Sequence, residues 1–230
     1  GHTAGIKLYT GGLLITALDE QAPAQRAGLR AGDTILKIDG TRVSSVQDAS
    51  LRLSSGKSVC LSVRRGKKQA EFYLTPEKTE TGYRLGISVR DNISGIGTIT
   101  FFDPETGVYG ALGHGVAGLT SAQPLAISGG VLVPSSVTDV KKGVRGTPGE
   151  LHGSFDASTL LGSVSQNEPH GIFGKLTALP QSESVPVADA SQIHTGAAVI
   201  LANVDGKETR EYCVRIDKLY PQAENGRNLL

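Results

Sequence analysis

The sequence predicts a mainly β protein with a few short helices, in which an N-terminal α+β unit precedes an antiparallel β unit. Thirty glycines stand among the 230 residues. In the second part, short runs of alternating apolar and polar residues recur between turn signals, as in sandwiches and barrels. Helical spacing is confined to two short segments near the N-terminus. With 38% hydrophobic and 20% charged residues, the composition is that of a globular chain.

In the first unit, APAQRAGLRAGDTILKIDG (22–40) predicts a short helix, a turn and a strand. Pro23 suits the first turn of that helix, and Gly28 can end it in the left-handed region. SSVQDASLRLSSG (44–56) predicts a second helix with Ser45 as its N-cap. The run SVCLSVRRGKKQAEFYLTP then closes the unit as a β-hairpin.

A polar stretch with a proline divides the chain, so we predict a first domain at 5–76, a linker at 77–84 and a β domain at 85–230. In the second domain DPETG (103–107) is a hairpin turn. The strand that returns from it ends at His114.

Charge and cysteine usage exclude several classes of function. A formal net charge of +1 argues against a nucleic-acid partner. RRGKK (64–68) is interpreted as a solvated hairpin tip, the alternative being a membrane or nucleic-acid contact. Cys60 is expected to be a core thiol, although one long-range disulfide with Cys213 stays open. The histidines and cysteines lack metal-ligand spacing, so we predict no metal and no cofactor. No apolar run reaches the roughly 18 residues of a transmembrane helix.

The order of elements in the first unit resembles a PDZ domain of the kind attached to bacterial proteases, with AGLRAGDTILKIDG as its most specific part. The resemblance implies that YTGGLLITAL (9–18) contains a carboxylate-binding loop and the strand beside which a peptide adds. The alternative is that its two glycines only form the turn into a strand. The implied peptide-binding residues are Tyr9, Gly11, Gly12, Leu13 and Ile15.

In YGALGHGVAG (109–118), small residues surround one of only five histidines. This suits either a histidine that must meet a partner or a tight turn. The block RDNISGIGTITFFDPETGVYGALGH (90–114), with KGVRGTPGE (142–150) and PHGIFGKL (169–176), resembles the SpoIVB family of sporulation serine peptidases. That resemblance implies a PDZ domain followed by a chymotrypsin-like β-barrel, with His114 as the catalytic base.

The family's nucleophile is expected in a GMSGSP-like motif with an aspartate a little upstream, and neither motif occurs in this sequence. We therefore expect the barrel domain to be incomplete, the nucleophile and acid to lie outside this chain, and the chain alone to be inactive. Ser128 in SGG is a poor match for the nucleophile. Four aspartates could each be proposed as the partner of the histidine: Asp139, Asp156, Asp189 and Asp205.

The resemblance also implies a biological role. The family cleaves a membrane-associated regulatory protein between two spore membranes, which triggers an intramembrane protease and a late sigma factor. Expected partners are a protein or peptide substrate, the chain's own segments after self-cleavage, and a spore-membrane regulatory protein. The implied location is the intermembrane space, after secretion across the forespore membrane. The alternative is a non-catalytic PDZ peptide-binding or scaffold protein. His170 is predicted to be a loop residue, with a substrate-side role as the alternative.

Overall fold

A computed structural model describes residues 1–147, 149–156, 158–178, 184–203 and 209–220. The described chain is mainly β, as the sequence predicts, and none of its helices is long and apolar enough to cross a membrane. A 3-10 turn at Ala190–Gln192 comes before the last two strands. In chain order the strands and α-helices are β1 (His2–Leu18), α1 (Pro23–Arg26), β2 (Thr34–Ile38), β3 (Thr41–Arg42), α2 (Val46–Leu53), β4 (Val59–Arg65), β5 (Lys68–Leu74), β6 (Glu77–Thr79), β7 (Gly82–Arg84), β8 (Ile87–Phe102), β9 (Val108–Ala111), β10 (Ala117–Gly118), β11 (Ser121–Pro124), β12 (Gly129–Val133), β13 (Ser135–Lys141), β14 (Glu150–Phe155), β15 (Gly162–Glu168), β16 (Gly171–Leu176), β17 (Gly196–Ala202) and β18 (Arg210–Ile216).

Six antiparallel strands form a closed barrel in the order β12, β15, β16, β9, β8, β1. The barrel closes because β1 pairs with β8 on one side and with β12 on the other, so that Gly5 is opposite both Ile96 and Val133. This confirms the antiparallel β-barrel predicted for the second part of the chain. Its core consists of Ala4, Ile6, Leu8, Ile99, Tyr109, Ala111, Leu132, Val164, Ile172 and Leu176.

The α+β unit is built on the second half of β1, which pairs with β2, while β4 and β5 extend the sheet. The predicted helices are present: Pro23 opens α1, and the Ser45 hydroxyl accepts the Asp48 N–H at the start of α2. Each large apolar side chain buried here contributes about 1.5–3 kcal/mol. The core comprises Leu13, Ile15, Ala24, Leu29, Ile35, Ile38, Val43, Ala49, Leu53, Val59, Leu61, Val63, Leu74 and Leu85.

Strands β1 and β8 run through both units, which the prediction of two successive domains did not anticipate. Ile87–Arg90 of β8 pairs with the α+β half of β1, and the later part of β8 pairs within the barrel. A bulge between Tyr9 and Leu14 separates the halves of β1. Gly11 adopts φ +72° in this bulge, where glycine is favoured. From Tyr9 to Leu14, β1 advances five positions and its partner β8 only two, and this odd difference of three residues moves the core-facing positions of β1 from even numbers to odd numbers. One strand therefore serves two cores.

Residues 77–84, predicted to be a linker, instead form the β6–β7 hairpin. Tyr83 of this hairpin packs against Gly56, just after α2, so closely that a Cβ at Gly56 would overlap the ring. The hairpin therefore holds the start of β8 beside α2. The domain limits 5–76 and 85–230 stay a prediction.

Candidate functional site

His114 lies on the barrel rim, three residues after β9 ends at Ala111. Leu112 and Gly113 both have left-handed φ angles, 69° and 70°, which turn the chain sharply. The His114 side chain is exposed, and its Nδ1 lies 3.0 Å from the Gly115 carbonyl oxygen. A carbonyl oxygen can only accept, so a hydrogen bond here requires the proton on Nδ1; in the neutral imidazole Nε2 is then the proton acceptor.

The small residues around His114 are explained by turn geometry and packing. A Cβ at Gly110 would lie 2.5 Å from the Phe101 ring, and one at Gly115 would lie 2.6 Å from the Glu168 carbonyl oxygen. The tight-turn interpretation therefore accounts for these glycines. The imidazole itself is not enclosed by them and stays open to a partner.

Asn167 secures the segment that follows His114. Its side-chain oxygen accepts the Val116 N–H at 2.8 Å, and its amide nitrogen donates to the carbonyls of Val116 and Leu125 at 2.9 and 2.8 Å. The Gly115 N–H also donates to the Pro169 carbonyl at 3.3 Å. Sequence analysis missed Asn167, although an amide just before the turn in QNEPHG is a detectable signal. His170, predicted to be a loop residue, lies in this β15–β16 turn.

The candidate triad partners are not gathered at His114. The Ser128 hydroxyl lies 3.3 Å from the Tyr9 carbonyl, and its backbone N–H donates to the same oxygen. In the ranges that the structure describes, no carboxylate lies within ion-pair distance of the histidine ring. The aspartates are placed elsewhere: Asp139 is opposite His152 in the β13–β14 ladder, Asp156 accepts the Ser158 N–H, Asp189 lies before the 3-10 turn, and Asp205 lies outside the described residues.

The strand predicted to bind a peptide is already paired with other strands of the described chain. Leu13 is opposite Ile35 of β2, and Ile15 is opposite Val89 of β8; both side chains are buried. Tyr9 is likewise paired on both sides, opposite Gly129 in β12 and Asn92 in β8.

The two glycines of YTGG belong to the bulge of β1. A Cβ at Gly12 would overlap the Ile35 carbonyl oxygen. The buried Thr10 hydroxyl donates to the Gly12 carbonyl at 2.7 Å. Gly11 and Gly12 therefore lie in a bulge within β1 and not in a turn that leads into a strand. Leu13 is already paired with β2 and Ile15 with β8, and peptide binding at Tyr9, Gly11, Gly12, Leu13 and Ile15 stays a prediction.

The open edge of this unit is on β8, alongside α2. Ile87–Arg90 pairs only with β1 among the described strands. The Ser88 carbonyl accepts the Thr16 hydroxyl of β1 at 3.1 Å, so strand alternation directs the backbone groups of Ile87 and Val89 to the open edge. Sequence analysis recognised YRLGISV only as a strand, although its glycine just before the strand marked a loop.

Leu85 and Gly86 form the turn at the start of this edge. Their carbonyls accept the N–H groups of Ala24 and Asp19, whereas their own N–H groups have no backbone partner within the part of the chain that the structure describes. Gly86 has φ +70°, and a Cβ there would overlap that of Ala22. Unpaired N–H groups in such a turn can hold an anion.

The basic run at 64–68 forms the tip of the β4–β5 hairpin, which confirms the predicted hairpin. Arg64 donates to the carbonyls of Thr10 and Ala126 at 2.8 and 3.1 Å. Arg65 donates two hydrogen bonds, both of 2.7 Å, to the buried Asp33 carboxylate. The two arginines are therefore structural, and a solvated tip describes only the lysines. Cys60 and Cys213 are both free thiols.

Within the described ranges, no group of three or more histidine, cysteine, aspartate or glutamate side chains is placed to hold a metal ion. The fold and site define a protein with a closed β-barrel, an exposed histidine at its rim, and an α+β unit with an open strand edge. The family model described as SpoIVB peptidase S55 matches residues 81–230, and a PDZ domain model matches residues 14–65. The chain belongs to the SpoIVB peptidase S55 family.

Other similarities cover shorter stretches. "Putative zinc metalloprotease LL2128" of Lactococcus lactis is 32% identical over 111 residues, which are 45% of this chain and 26% of that protein. Mitochondrial serine protease HTRA2 of Bos taurus is 38% identical over 69 residues, 30% of this chain and 15% of that protein. The chain thus spans about a quarter or less of these relatives. Since their names denote two different chemistries, the likeness does not select a mechanism.

Among solved structures, the PDZ domain of an SdrC-like protein from Listeria monocytogenes is similar at 26% identity. The similarity covers 35% of this chain and 90% of that one, with a TM-score of 0.32. A score this low adds nothing to the description of the fold.

Proposed function

We propose that this chain is the PDZ-bearing, base-supplying part of a serine endopeptidase, with His114 as the general base. The observation that carries the proposal is the position of His114: it is exposed on the rim of the barrel, directly after a core strand, in the part of the chain matched by the peptidase family. The turn presents the ring without burying it.

The chemistry follows from the tautomer. With the Nδ1 proton directed to the Gly115 carbonyl, Nε2 can take the proton of a serine hydroxyl as that oxygen attacks a peptide carbonyl carbon. The same nitrogen then returns the proton to the departing amine as the C–N bond breaks. In a complete site a carboxylate would replace the carbonyl at Nδ1, because a charged acceptor stabilises the imidazolium better.

The α+β unit supports the second part of the proposal, which is capture of a peptide end. The open edge at Ile87 and Val89 can accept an added strand, and the free N–H groups of Leu85 and Gly86 can hold its terminal carboxylate. A peptide bound there would contact β8, which continues into the barrel. Within the barrel, Ile99 of β8 pairs with Ala111, the last residue of β9 before the His114 turn.

The biological part of the proposal rests on family membership. The endopeptidase would cut a regulatory protein associated with a spore membrane, in the space between the two membranes, and would also cut itself. That cut would trigger an intramembrane protease and a late sigma factor. Replacement of His114 by alanine in the chromosome of the source organism is expected to block late sigma-factor reporter activity and spore formation. Normal sporulation in that strain would contradict this role.

The biochemical test uses the full-length gene product that carries this chain. His114→Ala is expected to abolish cleavage of a protein substrate. His194→Ala is the matched control, because His194 is also exposed and its Nδ1 also lies 3.0 Å from the next residue's carbonyl, that of Thr195. Full activity of His114→Ala, or equal loss in both variants, would reject the assignment.

A non-catalytic peptide-binding protein is the second candidate, and the open β8 edge favours it. The two candidates differ in one result. A binding protein would capture free-carboxylate peptides and show no His114-dependent cleavage. The proposed peptidase would show both the capture of such peptides and His114-dependent cleavage.

A further inference from the structure

A cleft of about 1060 Å³ lies between the α+β unit and the barrel. One wall is the AGLRAGD turn and the tip of the β4–β5 hairpin, and the other is the β10–β11 region with the end of β15. The volume lies just above the usual range of about 300–1,000 Å³ for small-molecule pockets. Since the cleft is also open to solvent, its size suits a length of polypeptide better than a compact ligand.

The two walls meet at a close backbone contact. Gly32 has φ +90°, and a Cβ there would lie 2.5 Å from the Thr120 hydroxyl oxygen. Arg64 adds a second junction, since its guanidinium donates to a carbonyl of β1 and to the carbonyl of Ala126. The cleft is therefore preformed by contacts between the units.

The charges along the cleft are unbalanced. Arg65 is neutralised by Asp33, at 2.7 Å. Among the described residues, the Arg64 side chain donates only to carbonyl groups and forms no ion pair with a carboxylate, and burial lowers its pKa. Arg30 and Lys67 are exposed at the same wall, opposite one exposed acid, Glu168. Apart from the Arg65–Asp33 ion pair, the cleft therefore has three cationic side chains (Arg30, Arg64 and Lys67) and one anionic side chain (Glu168).

The cleft also reaches the candidate catalytic turn. Its far wall includes Asn167 and Glu168. Asn167 fixes Val116, and the Glu168 backbone packs against Gly115, the neighbour of His114. A chain lying in the cleft would therefore run beside the turn that carries the histidine.

We propose that this cleft binds an extended polypeptide segment rich in acidic side chains. The exposed Arg30 and Lys67 would pair with the acidic side chains, and the structural Arg64 would add positive charge to the wall of the cleft. Apolar side chains of the segment would lie against the exposed Leu119. That the segment belongs to a substrate rests on the proposed peptidase function, whereas the binding itself does not.

The test is fluorescence anisotropy with a labelled peptide of alternating leucine and glutamate. Both peptide ends are blocked, so that the turn at Leu85 and Gly86 cannot capture a terminal carboxylate. A peptide with glutamine in place of glutamate reports the contribution of charge. We expect the glutamate peptide to bind wild type at least about tenfold more tightly than the glutamine peptide.

The cleft variant is Arg30→Glu with Lys67→Glu, and the control is Lys37→Glu with Arg42→Glu. All four side chains are exposed, and the second pair lies on the β2–β3 hairpin outside the cleft. Both variants have the same net charge. The cleft variant is expected to weaken binding about tenfold, and the control to stay within about twofold at 0.15 M salt.

Equal binding of the two peptides, or equal weakening by both double variants, would overturn the proposal. Arg30→Gln with Lys67→Gln is a milder pair for use if the reversals do not fold, and an intermediate loss is expected. His114→Ala should leave binding unchanged. Peptide binding without His114-dependent cleavage would reject the peptidase function but support the cleft as a binding site. His114-dependent cleavage without binding in the cleft would support the peptidase function and reject the cleft as a binding site.

Discussion

Asn167 binds the backbone of Val116 in both directions: its Oδ1 accepts the Val116 N–H at 2.8 Å, and its Nδ2 donates to the Val116 carbonyl at 2.9 Å. The Asn167 side chain thus accepts from and donates to the same residue, as a paired residue of a neighbouring β-strand does. It fixes the segment two residues after His114 to the end of β15, although the two residues are 51 positions apart. The orientation of the candidate catalytic turn therefore depends on a residue far away in the sequence.

Replacing Asn167 with alanine should destabilise the protein by about 1–3 kcal/mol, because partly buried backbone groups lose their partners. Urea unfolding followed by circular dichroism measures this change. Asn167→Asp keeps the acceptor for the Val116 N–H but loses both donated bonds, so an intermediate loss is expected. If the urea midpoint of Asn167→Ala equals that of wild type, the Asn167 hydrogen bonds do not stabilise the turn.

Val89→Pro should weaken binding of a free-carboxylate peptide by about tenfold or more, because proline removes the N–H that the open edge of β8 offers. Proline is tolerated at an edge position of this kind. Val89→Thr has a similar shape and keeps the N–H, so it should bind like wild type. Isothermal titration with a peptide and with its C-terminally amidated form measures both effects. Unchanged affinity in a folded Val89→Pro protein would place the groove elsewhere.

Gly32→Ala should cost about 1–3 kcal/mol, from left-handed strain and from the clash with the Thr120 hydroxyl. Thr120→Ala removes the clashing oxygen and its methyl group. The double variant should therefore recover part of the loss, since the two residues interact directly. Thermal unfolding of all four proteins gives the coupling free energy. A coupling near zero would show that the two units do not meet at this point.

Tyr109→Phe should reduce stability by about 1 kcal/mol. The ring is fully buried in the barrel core, and its hydroxyl donates to the Ser163 carbonyl at 3.0 Å. Burial raises the pKa of Tyr109 well above its usual value. Absorbance titration of native protein should therefore find this tyrosine protonated until the barrel unfolds. A tyrosine that ionises near its ordinary pKa would contradict the burial.

Local features of the chain were predictable. Ser45 marked the start of α2, and the 103–107 turn marked the hairpin that leads to His114. Both depend on contacts within a few residues, which short-range rules describe well. The alternating runs of the second part indicated antiparallel strands for the same reason.

The binding surfaces were not predictable in this way. The glycines at 11 and 12 resemble a carboxylate loop in sequence, yet they lie in a bulge between the two stretches of β1 that pair with β8, and Gly12 packs against the Ile35 carbonyl of β2. A strand pattern says which side chains face a core but not which strand occupies each edge. The free edge could be assigned only once β1 was seen to pair with β2, β8 and β12.

The sequence by itself determined the mainly β class, the two short helices and the placement of a histidine just after a core strand. Each of these follows from residue spacing and turn chemistry within short segments. Only the tertiary structure decided that Arg64 spans 62 residues to reach Ala126, that Asn167 fixes the His114 turn, and that β8 offers the open edge. The physical reason is that hydrogen bonds and charge compensation between distant residues depend on how strands pair, and local periodicity does not specify those partners.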